Sequence, residues 1–200
     1  MENIRTKSEE VFETFLIDHN LEFEKIEEDD SPRPDYLVTI GDFKMVFEIK
    51  ELAEDKNFKT EQFSVSSRTV GDHIRKKIQE ARKQIQFAAK QGLPSILLIY
   101  NNLDPFHLFG TENMDFISAM YGEYTVVFNN SYGKISDSFH GRNQSFAAAK
   151  NTSFSAVGRL SPYLGKMKVA LFENVFSKVK INYDRLPVCF DVIFFQIETI

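Results

Sequence analysis

Two carboxylates and a lysine carry the most specific chemistry in this chain. They stand in residues 33–51, Arg-Pro-Asp-Tyr-Leu-Val-Thr-Ile-Gly-Asp-Phe-Lys-Met-Val-Phe-Glu-Ile-Lys-Glu, where strand-like runs at 35–40 and 43–50 flank Gly41-Asp42. A glycine-first pair suits a two-residue type II′ turn. Such a turn fixes the register. Asp35 then faces Glu48, Leu37 faces Val46, and Lys50, two residues beyond Glu48, projects from the same side. Facing Cβ atoms lie ~4.5–5.5 Å apart, so two ionised carboxylates there repel unless one is protonated or a cation lies between them. A divalent metal with a lysine beside it meets that condition. A charged strand face that is simply solvated meets the same spacing, and spacing alone leaves both readings open.

The elements that must hold these residues read as follows. Residues 6–19 predict a helix, capped by Thr6 or Ser8, with Phe12, Phe15, Leu16 and His19 as its buried stripe. On it Glu9 lies at the edge of the stripe, ~60° from Phe12 at ~100° per residue, while Glu13 lies farther off and Glu10 points to solvent. Residues 21–27 alternate as a half-exposed strand, and an acidic loop at 27–33 leads to Pro34, which suits a strand start. Residues 51–71 predict a long loop, placed to flap over the carboxylates. Residues 72–91 predict one amphipathic helix, with the stripe Ile74, Ile78, Ala81, Ile85 and Ala88. Its polar face carries Arg75, Lys76, Lys77, Arg82, Lys83 and Lys90, a pattern that fits either solvated surface or contact with phosphates. Phe87 sits among these lysines, and packing under the helix end or base stacking would both use it. Residues 95–100 read as a continuously apolar central strand.

Beyond residue 101 the pattern weakens. A helix is expected at 111–121, strands at 124–128, 154–160, 168–172 and 190–197, and a polar loop at 129–151. No linker is apparent, so residues 1–200 read as a single domain. Residues 1–102 form its core and residues 103–200 a β-rich C-terminal extension that extends the sheet or lays a second layer on it, with a role in substrate or partner choice.

Composition sets the outer bounds. The 200 residues are 42% hydrophobic and 26% charged, ordinary globular values. The net charge of −5 does not advertise nucleic-acid binding, but it divides unevenly. Residues 1–61 carry 18 acids and 8 bases, net −10, leaving 11 acids and 16 bases, net +5, for residues 62–200. A basic half beside an acidic, metal-binding half suits a polyanion, as does plain charge scatter. The single cysteine, Cys189, rules out an intrachain disulfide and a cysteine-based zinc cluster. His19, His73, His107 and His140 fall in no metal-ligand spacing. No secretory leader or membrane-spanning run is visible, so a soluble, cytoplasmic protein is the expectation.

The order α-β-β-β-α-β over residues 6–100, with Pro34-Asp35 opening one strand and Glu48-Ile49-Lys50 ending the next, resembles the PD-(D/E)XK, or restriction-endonuclease-like, nuclease superfamily. The resemblance implies an α/β fold with a mixed sheet flanked by helices. It implies a metal-dependent nuclease in which Asp35, Glu48 and the Ile49 carbonyl bind Mg²⁺, with Mn²⁺ as substitute, and Lys50 positions or deprotonates the attacking water. Many members add a glutamate from the first helix, for which Glu9 is the best match and Glu13 the second. Gln84 matches a polar residue that the second helix often places near the metal, although the Gln-x-x-x-Tyr pattern of one large branch is absent, since Ala88 stands there. Arg75, Lys76, Arg82 and Lys83 are the expected nucleic-acid contacts, with DNA favoured over RNA. A homodimer is compatible with this, because cutting both strands commonly uses two sites. The alternative is a binding module on the same fold, for nucleic acid or protein, that does not cleave.

Overall fold

The computed structural model describes residues 5–27, 31–53, 68–104 and 109–196. The chain builds one mixed sheet of seven strands, covered by helices on both faces, with a separate two-stranded ribbon. Helix α1 (Lys7–Asp18) starts at Thr6, whose side chain accepts from the Glu9 amide while the Glu9 carboxylate accepts from the Thr6 amide. This reciprocal capping box satisfies two amides that the first turn leaves unpaired. Strand β1 (Glu22–Lys25) pairs antiparallel with β2 (Tyr36–Ile40), and β2 with β3 (Phe43–Leu52). The β2–β3 register places Leu37 opposite Val46 and Ile40 opposite Phe43. Gly41 has φ +63°, and Asp42 is not among the residues with positive φ, the pattern a type II′ turn requires.

The segment after β3 is described again from Arg68. The expected flap over the site falls mostly on residues 54–67, outside the described residues, as do residues 28–30 of the acidic loop and His107. The helix expected at 72–91 is observed as α2 (Asp72–Glu80) and α3 (Arg82–Ala89), divided at Ala81. The division is shallow, because the Ala81 amide still bonds the Lys77 carbonyl and its own carbonyl still accepts from Ile85. Strand β4 (Ser95–Asn101) then pairs parallel with β3. Along β4, Ile96, Leu98 and Tyr100 face the layer holding α1, with Phe12, Phe15 and Leu16. Leu97 and Ile99 face the layer of α2 and α3, with Ile74, Ile78 and Ile85. A strand buried on both faces needs no alternation, which is why its sequence is continuously apolar.

The second half joins the same sheet. Helix α4 (Asn113–Tyr121) packs beside α2, and β7 (Ala156–Tyr163) pairs parallel with β4. Strands β8 (Lys166–Glu173) and β9 (Phe190–Ile193) complete the order β1-β2-β3-β4-β7-β8-β9. Strands β5 (Glu123–Asn129) and β6 (Lys134–Arg142) form the separate ribbon. Strand β6 corrects the expected loop at 129–151, since Lys134, Ser136, Asp137, Ser138 and His140 hide the alternation that marks a strand. Among the described residues no helix is long and apolar enough to cross a membrane.

Candidate active site

The hairpin brings Asp35, Glu48 and Lys50 to one place. Glu48 is only 1% exposed, and Lys50 Nζ lies 2.7 Å from its Oε1. Its other oxygen, Oε2, is buried without a hydrogen-bond partner. Asp35 stands at the entry to β2, where its Oδ2 accepts from the Ile49 amide at 2.6 Å. That bond orients the aspartate from the strand that carries Glu48. The contact Ile49 makes there uses its N–H, and in an extended strand the carbonyl of the same residue, the one expected as a ligand, points to the same edge.

The electrostatics follow from burial. Desolvation, reinforced by the charge of Asp35, pushes the Glu48 carboxyl up to about 7. Burial also raises Asp35, against the pull of the Ile49 amide and Lys50. For Lys50, burial favours the neutral amine, but the neighbouring Glu48 charge and its hydrogen bond outweigh it and raise the pKa. A second cation between the carboxylates would act the other way on all three groups.

Glu9 leans inward as its angle on the helix predicts, with its side chain 13% exposed against 54% for Glu10. Its partners are Lys25 Nζ at 2.8 Å and the Thr6 amide at 2.8 Å. Burial would raise its pKa, but Lys25 and Thr6 prevail and lower it. The Glu9 charge also raises both Asp35 and Glu48, which sets it near the pair. Glu13 is engaged elsewhere, accepting from Tyr36 Oη at 2.9 Å and pairing with Arg5 at 2.9 Å. Lys25 escaped the sequence reading because its proximity to Glu9 depends on how β1 docks against α1.

Gln84 is placed by the antiparallel run of α2–α3 against β3. Ala88 shares a cavity with Val46, and Glu80 acts electrostatically on Lys50. Gln84 lies between Glu80 and Ala88 on this helical run. Its Oε1, like Glu48 Oε2, is buried without a partner.

The basic helix face divides. Lys76, Arg82 and Lys83 are exposed. Arg75 is committed inside the protein, donating to the carbonyls of Val70, Ser118 and Asn143 and pairing with Asp72 at 2.6 Å. The sequence shows the arginine but not those carbonyls, which reach it only through tertiary folding.

Comparisons with protein-family models, with curated proteins and with solved structures find no match. The structure therefore defines the chain as an α/β protein whose mixed seven-stranded sheet presents a buried, charged hairpin end.

Proposed function

We propose that the protein is a metal-dependent nuclease hydrolysing phosphodiester bonds, with DNA favoured over RNA. The observation that carries this reading is Glu48, buried beside Asp35 with one oxygen on Lys50 and the other unpaired. A carboxylate in that position is costly to the fold unless a cation arrives to use it. The PD-(D/E)XK resemblance supports the same reading, through the element order α1-β1-β2-β3-α2-α3-β4 and the position of Asp35, Glu48 and Lys50 within it.

Asp35 and Glu48 are the residues that would hold Mg²⁺ or Mn²⁺, and their donor set fits, being oxygen ligands that leave most of the coordination shell to water. The metal would supply a hydroxide-like nucleophile at neutral pH and charge stabilisation on the phosphate. The chain's own residues prepare that chemistry. The Ile49 amide fixes the aspartate, the sheet fixes Glu48, and Lys50 holds a proton beside the position an attacking water would take. Lys25 and Glu9 pair with each other and act on Asp35 through their charges, and Gln84 lies on the helix packed against β3. Helix residues Lys76, Arg82 and Lys83 offer positive charge to the phosphate backbone.

The test is cleavage of duplex, single-stranded and branched substrates with Mg²⁺ or Mn²⁺. Lys50→Ala, Asp35→Ala and Glu48→Ala are each expected to lose at least about 100-fold in rate, the usual scale for a positioned proton-transfer group or charge stabiliser. Cleavage that survives all three substitutions sinks the assignment. Calorimetric titration with Mn²⁺ separates a metal-loaded nuclease from a binding module. Metal uptake lost in Asp35→Ala supports the nuclease, and no uptake by the native chain favours the module.

A further inference from the structure

Beside the carboxylate pair lies a cavity of about 260 Å³ between β2, β3 and α3. Its floor includes Leu37 and Val46, the facing pair next along the hairpin from Asp35 and Glu48 and on the same side of the sheet. Pro34 adjoins the site directly, and Phe87 from α3 is the only aromatic among the lining residues. Arg33 and Gln91 are exposed members of the same lining. The volume falls below the ~300–1,000 Å³ of pockets for drug-sized ligands, and suits a single ring system.

We propose that this cavity receives one unstacked nucleobase of the strand whose phosphate lies at Asp35 and Glu48, so that the protein acts on single-stranded or frayed nucleic acid. The proposal rests on the phosphodiesterase reading and names the form of its substrate. The separation fits, because one two-residue step along β2 or β3 is ~6.6 Å, comparable to the distance from a backbone phosphate to its own base. The chemistry fits as well. An aromatic ring binds any base through its π-face, and the Gln91 amide at the same opening can serve the base edge, while Arg33, whose Nε donates to Ser31 Oγ, borders the opening. A paired base inside a duplex must first leave its stack to enter, which a single strand does without that cost.

The test uses native protein with Ca²⁺ in place of Mg²⁺, an oxygen-binding cation that can bridge the phosphate to Asp35 and Glu48, and fluorescence anisotropy. The probes are a labelled 12-residue oligothymidylate, an abasic strand of equal length, and the oligothymidylate annealed to its complement, with thymidine 5′-monophosphate as competitor. The oligothymidylate is expected to bind at least 5-fold more tightly than the abasic strand and the duplex, and Phe87→Ala and Phe87→Leu to abolish that preference. The chain has no tryptophan, so Phe87→Trp supplies a lone indole, excited selectively beyond the tyrosine band, that the oligothymidylate quenches and the abasic strand does not. Thermal unfolding confirms that each variant is folded. Equal affinity for base-bearing and abasic strands, an undiminished preference in folded Phe87→Leu, or thymidine monophosphate binding as tightly as the strand overturns the proposal. Cleavage with Mg²⁺ is scored separately on the same strands. Cleavage without a base preference therefore removes the pocket alone, and a base preference without cleavage removes the phosphodiesterase reading alone.

Discussion

A buried carboxylate with an unpaired oxygen works against the fold that holds it. Glu48 is 1% exposed and its carboxyl is pushed from 4.5 up to about 7 by desolvation and by Asp35. A raised acid pKa stabilises the native state while the group is protonated in both states. That contribution is full below about 4.5 and is lost as pH rises through about 7. Burial raises Asp35 in the same direction, whereas the raised Lys50 acts only above its ordinary 10.5, outside this window. In metal-free buffer the native protein is therefore expected to lose melting temperature between pH 5 and pH 8, by roughly the few degrees that ~1 kcal/mol or more moves a domain of this size. Glu48→Gln is expected to flatten that slope and to melt higher than the native chain at pH 8. A Glu48→Gln protein that melts lower at pH 8 contradicts the electrostatic account. The Asp35–Glu48–Lys50 arrangement was legible in the sequence because a two-residue turn sets the register within a few residues. The attachments of Glu9 to Lys25 and of Arg75 to Asn143 and Ser118 were not, because those partners meet only through tertiary packing.

The elements around the site are pinned where the chain re-enters α2. Asp115 of α4 is buried. It forms a two-pronged pair with Arg68, accepts from the Gly71 amide at 2.9 Å and receives the Glu112 amide at 3.2 Å. Gly71 itself has φ +83°, and a Cβ there would meet the Ala119 amide nitrogen at 2.8 Å and the Asp115 carbonyl at 2.9 Å. Both the left-handed backbone and the backbone contact demand glycine. Gly71→Ala is expected to cost about 1–3 kcal/mol in denaturant unfolding, a change without measurable cost being the contrary outcome. Arg68→Met leaves the buried Asp115 charge with backbone amides alone and is expected to destabilise by about 3 kcal/mol, against no change if the pair is idle. Helix α1 and the run α2–α3, expected as one helix, were readable from their apolar periodicity to within a few residues, since each presents one stripe to the sheet, whereas α4 was expected from a weaker pattern. Strand β6 was not, because neither of its faces is buried and a strand without an inside has no pattern to read.

At the scale of the whole molecule, the ribbon β5–β6 stands apart from the seven-stranded sheet and leaves Tyr124, Phe128 and Ile135 more than half exposed. Two strands with little buried surface add little stability. Replacing residues 126–138 with a short turn is expected to shift the melting temperature by less than about 3 °C, whereas a collapse of the transition would show that the ribbon braces α4. The sheet's order carries the other message. Its step from β4 to β7 was not readable, because a parallel neighbour can be any later strand. The completely buried strand β4 finishes at Asn101, but the strand that closes its far edge finishes at Tyr163. At a translation rate of ~5–20 residues per second, the ribosome needs about 3–12 s to deliver that partner. For those seconds the nascent chain carries an apolar strand with one edge open. Its safe passage depends on the speed of synthesis and on whatever shields that edge meanwhile.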